Sequence, residues 1–475
     1  MKLYTNFIYP TEVHDVVKLF LNDVVLSEDC HGDITLVEYA DDAKFKYVST
    51  FFARVSQCEV DVSGLDELQQ LRLRKRFAKV CMYDVLVKVT GKHMPWGSLT
   101  GIRPTKLARQ ITAEGLDWKQ TFADLFDVSD DKIKLVDDII CEQGDLYAYR
   151  ANTADLYVGI PFCVSRCSYC SFTSGEIGRM KQYVEPYVAE LKREISRTLD
   201  FADKNGITLR NVYFGGGTPT SLSAAQLDEV LSQINFVPTE YTVEAGRPDT
   251  VDKDKLDVFA AHGVNRISIN PQTFNQSVLD VIGRKHTVAD IYDKYNLARG
   301  YDFDINMDLI AGLPTETYEM FCHSVDCAIE CGADNITVHT LALKHGSVLK
   351  EQNYDESHNV CKMVSYAHAR LYKAGYVPYY MYRQKYMSDN LENVGFTKRG
   401  KPCLYNIDIM EEISDIIACG TNAVSKRVLP SQNRIERAAN PKDVITYIQR
   451  LDDFLQKKFE LFGADGHVEK NRSKQ

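Results

Sequence analysis

The stretch that decides the fold is Tyr157-Val-Gly-Ile-Pro-Phe-Cys163-Val-Ser-Arg-Cys167-Ser-Tyr169-Cys170. It begins as an apolar, β-rich run and ends in three cysteines that are separated by three and by two residues. Thiolates at this spacing, directly after a strand, can converge on one face of a loop. The stretch therefore predicts a metal-binding loop at the end of a β-strand.

The number of cysteines in this loop indicates the kind of metal. A structural zinc site takes four ligands, and no Cys or His lies between Ser171 and Arg210 to supply the fourth. In a four-iron cluster, three cysteines leave one iron open to an exogenous ligand, which suits a catalytic cluster. The spacing favours an iron–sulfur cluster, and zinc with a distant fourth ligand is the alternative.

Around this loop, from Asp155 to about Thr340, short β-rich runs alternate with longer helical patterns. Such alternation predicts successive βα units and a parallel sheet. Six strands are predicted, at Leu156–Ile160, Asn211–Phe214, Tyr241–Ala245, Arg266–Asn270, Phe303–Ile310 and Asn335–Leu341. Apolar residues between the first two recur at the spacing of a helix that covers a barrel. The predicted fold class is α/β, with a partial (β/α)6 TIM-like barrel as its core.

A chain of 475 residues exceeds what one hydrophobic core usually serves, so several domains are expected. We predict an N-terminal α/β domain of unknown role over residues 1–150 and the core barrel over 151–375. A C-terminal mixed or helical extension over 376–475 is predicted to cover the substrate site. In the loop from Trp96 to Lys106, Pro104 suits the first turn of a helix. This loop either reaches the site or packs domains together.

Charge and cysteine usage restrict the partners and the compartment. The formal net charge of -10 opposes nucleic acid as the main partner, because phosphate binding needs clustered Lys and Arg. No apolar run is long enough to span a membrane and the N-terminus lacks the apolar core of a signal peptide, so a cytoplasmic protein is expected. The scattered trio Cys322, Cys327 and Cys331 is predicted to occupy an amphipathic helix without a ligand role.

Glycines and polar residues follow the predicted strands at one end. The second strand runs into Gly215-Gly-Gly-Thr-Pro219, where the backbone can come close to a ligand, although a plain structural turn is the commoner explanation. Glu244, Gln272 and Asp308 lie at or near the ends of the next three strands, with Arg284 in the same region. Because barrel enzymes place their sites at the carboxyl ends of strands, this set predicts a polar-ligand site there.

These motifs, together with Asp308-Leu-Ile-Ala-Gly-Leu-Pro314, resemble the radical S-adenosylmethionine (SAM) family of oxygen-independent coproporphyrinogen III dehydrogenases over roughly residues 155–345. The flanking motifs are similar to those of the HemZ branch of that family, and they extend the resemblance to nearly the full length. They are Leu99-Thr-Gly-Ile-Arg-Pro-Thr-Lys106, Asn390-Leu-Glu-Asn-Val-Gly395 and Ala423-Val-Ser-Lys426.

The resemblance implies two cofactors and their contacts. Cys163, Cys167 and Cys170 would hold a [4Fe–4S] cluster, whose fourth iron binds the amino and carboxylate groups of SAM. Further SAM contacts that it implies are Tyr157, Tyr169, Gly216, Gly217, Thr218, Glu244, Gln272, Arg284, Asp308, Ile310, Ala342 and Val424. The last-named Ile310, Ala342 and Val424 would line the region of the adenine and the sulfonium.

The resemblance also implies a reaction. A reduced cluster cleaves SAM to methionine and a 5′-deoxyadenosyl radical, which takes a hydrogen atom from the β-carbon of a porphyrinogen propionate. Loss of carbon dioxide and one electron leaves a vinyl group, and coproporphyrinogen III becomes protoporphyrinogen IX in heme biosynthesis. A monomer served by an electron donor such as flavodoxin or ferredoxin is expected. Two positions depart from the family, Phe172 where it has a further cysteine and Gly159 where it has a histidine.

Other interpretations use the same residues. The same core also occurs in proteins that resemble heme chaperones. In such a protein His339 or His345 could be a heme ligand, and the alternative is a structural histidine whose hydrogen bonds are satisfied. Radical modification of heme by methyl transfer or ring opening is a third class. The aromatic run from Tyr376 to Tyr386, which contains Arg383 and Lys385, is predicted either to clamp carboxylates of a macrocycle or to form an aromatic strand on the barrel's edge.

Overall fold

A computed structural model describes residues 1–101, 103–171, 174–342, 346–351, 359–384, 387, 390–432 and 434–463. The chain divides into two compact units. The first unit contains Met1–Asp138 and Tyr382–Glu392, and the second contains Ile139–Met381 and the residues from Asn393 onward. Each unit has its own sheet.

The first unit is built on a five-stranded mixed sheet. Its strands are β1 (Lys2–Thr5), β2 (Val25–Ser27), β3 (Ile34–Asp41), β4 (Lys44–Phe51) and β5 (Arg54–Asp61), in the order β2-β1-β3-β4-β5. Its helices are α1 (Pro10–Val17), α2 (Glu67–Thr90), α3 (Pro104–Ala113) and α4 (Trp118–Gln120), and α5 (Asp130–Gln143) begins here and ends in the second unit. A buried apolar core packs the sheet against α1 and α2.

Local sequence signals fix the ends of helices in this unit. Asp66 and Gln69 form a capping box at the start of α2, which satisfies backbone N–H groups that the first helical turn leaves unpaired. The helix ends at Gly91, whose φ of 67° is the left-handed conformation that glycine adopts without strain. Pro104 stands at the first position of α3, as the sequence predicts.

The second unit is an α/β barrel that is open on one side. Its strands are β6 (Thr153–Ile160), β7 (Phe162–Cys163), β8 (Gly175–Glu176), β9 (Thr208–Gly216), β10 (Glu240–Val243), β11 (Arg266–Ser268), β12 (Asp304–Ala311), β13 (Asn335–Thr340), β14 (Val377–Tyr382), β15 (Asn393–Thr397), β16 (Asp415–Cys419), β17 (Val424–Leu429) and β18 (Arg434–Ala439). Strands β6, β9, β10, β11, β12 and β13 are consecutive neighbours and all parallel. The predicted six-stranded partial barrel is confirmed.

Helices of this unit cover the parallel strands. They are α6 (Lys181–Lys204), α7 (Ala224–Leu231), α8 (Lys253–Ala261), α9 (Gln276–Val281), α10 (Val288–Ala298), α11 (Tyr318–Cys331), α12 (Val348–Glu351), α13 (Val360–Lys373), α14 (Leu404–Glu411) and α15 (Val444–Phe462). The predicted helical stripe comprises Tyr183, Val184, Tyr187, Val188, Leu191 and Ile195, and α6 buries all of them except Tyr183, which is half-buried. Helix α11 carries the cysteine trio, of which Cys327 is buried and the other two are half-buried.

The C-terminal region differs from the predicted third domain. Its strands extend the barrel sheet on both sides, with β15 antiparallel to β13 and β16 parallel to β6, so the main sheet has eleven strands. Without them, β6 and β13 would be edge strands with unpaired backbone groups. The segment from Tyr382 to Glu392 instead belongs to the first unit, and that unit ends within α5 rather than at residue 150.

Candidate functional site

Backbone hydrogen bonds on several sides anchor the cysteine loop at the carboxyl end of β6. Strand β7 contains Cys163 and pairs with β8, and the N–H of Ile177 donates to the carbonyl of Cys163 at 2.8 Å. The N–H of Cys170 donates to the carbonyl of Cys167 at 3.1 Å. The N–H of Ser168 donates to Ile282 at 3.0 Å, which ties the loop to the segment after β11. The three cysteines therefore lie on a loop of defined conformation.

The sulfur geometry bears on the choice between zinc and a cluster. None of Cys163, Cys167 and Cys170 forms a disulfide. Around one tetrahedral zinc ion, cysteine sulfurs lie about 3.8 Å apart, because each Zn–S bond is about 2.3 Å long. Within the described residues, the exposed triplet Asp29–His31 of the first unit is the one group whose three ligand atoms all lie within 4.8 Å of one another, so at least two of the loop sulfurs are further apart than that. Such spacing fits a cluster whose cysteines bind different irons.

The glycine turn after β9 lies directly against the cysteine loop. Gly216 has a φ of 109°, and a Cβ added at Gly217 would lie 2.6 Å from the Phe162 carbonyl oxygen and 3.1 Å from Sγ of Cys163. The Oγ1 of Thr218 lies 3.5 Å from the same sulfur. Only glycine permits this close approach of backbone to sulfur. The structure thus brings Gly216, Gly217 and Thr218 together with the cysteine loop.

The polar residues predicted at the strand ends also meet at this edge. The guanidinium of Arg284 donates to the Tyr169 hydroxyl at 3.0 Å, which joins it to the cysteine loop. The backbone N–H of Gln272 donates to the carbonyl of Asp308 at 2.9 Å, and Gln272 itself has a φ of 67°. The carboxylate of Asp308 lies 3.6 Å from Nε2 of His339 on β13. These contacts span β11, β12 and β13.

Glu244 is the most perturbed acid of the site. Burial raises its pKa to about 7, and the nearby charge of Asp308 adds to the rise. A hydrogen bond of 2.6 Å from the hydroxyl of Tyr213 acts in the opposite direction. Burial also raises the pKa of both Tyr157 and Tyr169, so these phenols stay neutral. A carboxyl group that titrates near neutral pH can bind a cationic group when it is ionised.

Three buried polar atoms around β11 lack a protein partner among the described residues. They are Oγ of Ser268, Oδ1 of Asn270 and Nε of Arg284. An unsatisfied buried donor or acceptor costs about 1–3 kcal/mol, so such atoms gather where a ligand supplies the missing bonds. Together with the cysteine donor set, they make the residues present at this edge a fit for a cluster and a polar, zwitterionic ligand.

The three apolar contacts implied by the resemblance lie on or next to three different strands of the sheet. Ile310 is on β12 and pairs with His339 of β13, while Ala342 follows the end of β13. Val424 is the first residue of β17, and β16 separates it from β6 in the sheet. The structure thus places Ile310 and Ala342 next to the polar residues, and Val424 two strands away from β6, the strand that the cysteine loop follows.

Sequence reasoning missed an aromatic stack beside Glu244. The rings of Tyr157 and Tyr213 lie on neighbouring strands with centroids 6.2 Å apart, and Tyr405 of α14 stacks on Tyr213 at 4.3 Å. Tyr157 pairs with Tyr213 because β9 extends to Gly216, whereas the predicted strand ends at Ile160 and Phe214 would have paired Tyr157 with Asn211. Tyr405 had no sequence signal, because α14 lies far away along the chain.

The prediction that Arg383 clamps a carboxylate is not supported. Its guanidinium is buried in the first unit and donates to the carbonyls of Leu99, Asn390 and Leu391 at 2.8, 2.9 and 3.3 Å. Burial lowers the pKa of this group to about 9. Most of the aromatic run instead forms β14 at the edge of the barrel sheet, which confirms the alternative. Phe172, His345, Lys385 and Tyr386 lie outside the described residues.

Fold and site define a protein that holds an iron–sulfur cluster and SAM at the mouth of a partial barrel. Residues 157–328 match the Radical SAM superfamily. The oxygen-independent coproporphyrinogen-III oxidase-like protein HemZ of Bacillus subtilis is 38% identical over 79% of this chain and 79% of its own length. The chain therefore belongs to the radical SAM superfamily and, within it, to the HemN/HemZ-like family, whose cofactors are a [4Fe–4S] cluster and SAM.

The other similar proteins include both a heme chaperone and a coproporphyrinogen III oxidase. The heme chaperone HemW of Bacillus subtilis is 36% identical over 40% of this chain and 51% of its own length. The solved structure of coproporphyrinogen III oxidase, HemN, from Escherichia coli shares the fold with a TM-score of 0.51 and 23% identity, over 65% of this chain and 71% of that one. Separately, no helix among the described residues is long and apolar enough to cross a membrane.

Proposed function

We propose that this protein decarboxylates coproporphyrinogen III oxidatively to protoporphyrinogen IX without oxygen, in heme biosynthesis. The similarity to the coproporphyrinogen-III oxidase-like protein HemZ, which extends over 79% of both chains, carries this proposal. The fifteen site residues named from the sequence belong to the proposal, and their grouping at one edge of the barrel supports it. A monomeric, cytoplasmic protein that receives electrons from a flavodoxin or ferredoxin goes with the proposed reaction.

The bound cofactors would supply a 5′-deoxyadenosyl radical, and the chain's own residues would bind, orient and exclude water. Glu244, when ionised, would accept hydrogen bonds from the amino group of SAM, with its orientation fixed by Tyr213. The stacked rings of Tyr157, Tyr213 and Tyr405 offer flat apolar surface of the kind that a tetrapyrrole needs. Burial keeps the pKa of Tyr405 well above its ordinary value, so this surface carries no charge.

The departure at Gly159 limits how the proposed reaction can be assisted. A Cβ added at this glycine would lie 3.3 Å from both the Thr421 carbonyl oxygen and the Tyr157 ring. The Gly159 carbonyl also accepts a 2.5 Å hydrogen bond from Tyr187. An imidazole at this position would have to displace these neighbours. If the family's histidine transfers a proton, another group of this chain must therefore take that role.

Heme binding for transfer is the second candidate function, and two observations favour it. Several relatives bear the name heme chaperone HemW, and two of them match over about two fifths of this chain. His339 is partly exposed at the carboxyl edge of the barrel, beside Asp308 at 3.6 Å. Radical modification of heme is the remaining candidate.

An anaerobic assay with two substrates tests these candidates. The full chain is reconstituted with iron and sulfide, reduced, and given SAM with either coproporphyrinogen III or heme. The proposed function predicts that 5′-deoxyadenosine and decarboxylated porphyrin accumulate together when coproporphyrinogen III is supplied. The Cys163→Ala variant should form neither product. Deoxyadenosine that rises only with heme, alongside an altered heme, would instead support heme modification.

Heme binding without turnover would overturn the proposal in favour of the chaperone. The matched variant for this outcome is His339→Gln, which removes the imidazole and leaves the cysteine loop untouched. If His339 ligates heme, this variant changes the heme absorption spectrum and weakens heme binding. In that case coproporphyrinogen III yields no decarboxylated product in any variant.

A further inference from the structure

Arg247 is a buried cation beside the cysteine loop that neither the motifs nor the family resemblance assigned. It follows β10 and precedes the short 3-10 turn at Pro248–Thr250, and its side chain is only 3% exposed. Its Nη1 donates to Oγ of Ser165 at 2.8 Å and to the Ser165 carbonyl at 3.2 Å. The same nitrogen lies 3.9 Å from Sγ of Cys167. One guanidinium therefore binds the loop midway between two cysteines and approaches one of their sulfurs.

The remaining donors of Arg247 are held by a carboxylate. Nε and Nη2 donate to the two oxygens of Asp249 at 3.0 and 2.8 Å, in a two-pronged pairing that fixes the plane of the guanidinium. The ring of His286, which is fully buried, lies 3.7 Å from the same carboxylate. Asp249 thus holds the arginine in place from the side away from the sulfur.

Ser165 is itself tied to a second part of the barrel. Its hydroxyl donates to the Gly283 carbonyl at 3.2 Å, so one side chain links Arg247 to the segment after α9. Arg284, the next residue, also contacts the loop, because its guanidinium donates to the Tyr169 hydroxyl at 3.0 Å. The cysteine loop therefore contacts two buried guanidinium groups, and that of Arg247 lies 3.9 Å from a ligand sulfur.

We infer that Arg247 is a positioning residue for the cluster, which holds the loop through Ser165 and raises the reduction potential of the bound cluster through its fixed positive charge. Reduction adds negative charge to the cluster and its sulfurs. A nearby cation and donors aimed at sulfur stabilise that reduced state, and burial keeps solvent from screening the charge. Asp249 counteracts part of this effect, because its negative charge lies behind the guanidinium.

Because Arg247 and Asp249 carry opposite charges, the direction in which each replacement shifts the reduction potential tests the inference. Arg247→Gln removes the cation, and Asp249→Asn removes the counter-charge while it keeps the shape of the carboxylate. A merely structural role predicts that both variants disturb the loop in the same way. An electrostatic role predicts opposite shifts, with a lower potential for Arg247→Gln and a higher potential for Asp249→Asn. Arg247→Lys, which keeps the charge, should restore most of the wild-type value.

The experiment is an anaerobic redox titration of the reconstituted full chain, followed by electron paramagnetic resonance. It uses neither SAM nor a tetrapyrrole, so its outcome is independent of the proposed substrate. At the wild-type midpoint potential, Arg247→Gln should show about a tenfold lower ratio of reduced to oxidised cluster, equal to about 59 mV for a one-electron couple. Iron and sulfide per chain are measured on each variant, and Arg450→Gln, an exposed arginine on α15, is the matched control.

Two outcomes would overturn the inference. One is a shift of the same sign in Arg247→Gln and Asp249→Asn, and the other is a potential in both variants that equals that of the control. If Arg247→Gln holds too little iron to titrate, Arg247→Lys and Asp249→Asn decide the matter. A wild-type or lower potential in Asp249→Asn then rejects the electrostatic role.

Discussion

The hydroxyl of Tyr213 on β9 donates a hydrogen bond of 2.6 Å to Oε1 of Glu244, which follows the next strand of the barrel. The bond opposes burial, which raises the pKa of Glu244 to about 7. Asp308 raises this pKa further, whereas the backbone of Gly216 lowers it. The charge of Glu244 therefore changes close to neutral pH, under the control of a neighbour that is not itself charged.

We expect SAM affinity to depend on pH through this carboxyl group. Below its pKa, Glu244 is protonated and is no longer a charged acceptor for the amino group of SAM, so binding weakens as the pH falls. With a pKa of about 7, the affinity at pH 6 should be about tenfold lower than at pH 8. Equilibrium dialysis of SAM against the reconstituted protein measures this, and Glu244→Gln should remove the dependence.

Tyr213→Phe should move the midpoint of that pH dependence upward. The variant keeps the aromatic ring but removes the hydrogen bond that stabilises the ionised carboxylate, so the pKa of Glu244 should rise by about one pH unit. Tyr405→Phe is the matched control, because its ring stacks on Tyr213 whereas Tyr213 donates the bond to Glu244. An unchanged or lower midpoint in Tyr213→Phe would refute this account.

The six parallel strands and the cysteine loop could be predicted because each has a local signal. Leu156–Ile160 is a short, mostly apolar run, and the cysteine loop begins three residues after it. Tyr405 and Arg247 could not be predicted, because their roles depend on contacts made by tertiary packing. Arg247 reaches the cysteine loop across 82 residues of chain. The same limit left the two alternatives for Arg383 open, because no sequence pattern indicates the backbone carbonyls that bind its guanidinium.

Replacing the loop cysteines should abolish the cluster. Cys163→Ala, Cys167→Ala and Cys170→Ala each remove one of three iron ligands, and each should lose most of its iron, its sulfide and its visible absorption after reconstitution. Cys327→Ala is the matched control, because that thiol is buried on α11 and lies beside His323 rather than in the loop. Zinc at one equivalent in the wild type, with no sulfide, would contradict the assignment.

A buried pair of carboxyl groups should make stability fall as the pH rises. Burial and the neighbouring Asp408 raise the pKa of Asp155 well above its ordinary value, and burial raises that of Asp408 to about 6. Because the folded state holds these protons more tightly than the unfolded chain, their stabilising effect is complete below about pH 4 and is lost as the pH rises through about 6. Arg210 binds Asp408 at 2.7 Å and limits the loss.

Asp155→Asn should relieve this loss. The amide resembles a protonated carboxyl group, and it can keep the 3.3 Å bond from the Asn211 backbone. Its Tm relative to the wild type should increase by about 3 °C between pH 6 and pH 8, since one pH unit corresponds to about 1.4 kcal/mol for one proton. Asp200→Asn, an exposed site on α6, is the control for thermal unfolding. A Tm difference that does not change with pH would argue against a shared proton.

Lys458 on α15 should be the most costly single lysine to remove in the second unit. It is buried and its Nζ donates to Oε1 of Glu194 on α6 at 2.5 Å. Glu194 also accepts from the Gly420 backbone at 2.7 Å and from the Tyr447 hydroxyl at 2.5 Å. Lys458→Met leaves this carboxylate buried without its cation, which costs about 3–5 kcal/mol.

The neighbouring Lys457→Met separates this effect from a general effect on the helix. Lys457 is exposed on the same helix, so its replacement should change the Tm little. Adding Glu194→Gln to Lys458→Met should recover part of the lost stability, because the double variant no longer buries an uncompensated charge. Thermal unfolding of the three variants decides the matter. If Lys458→Met and Lys457→Met lower the Tm equally, the buried ion pair is not what secures α15 to the barrel.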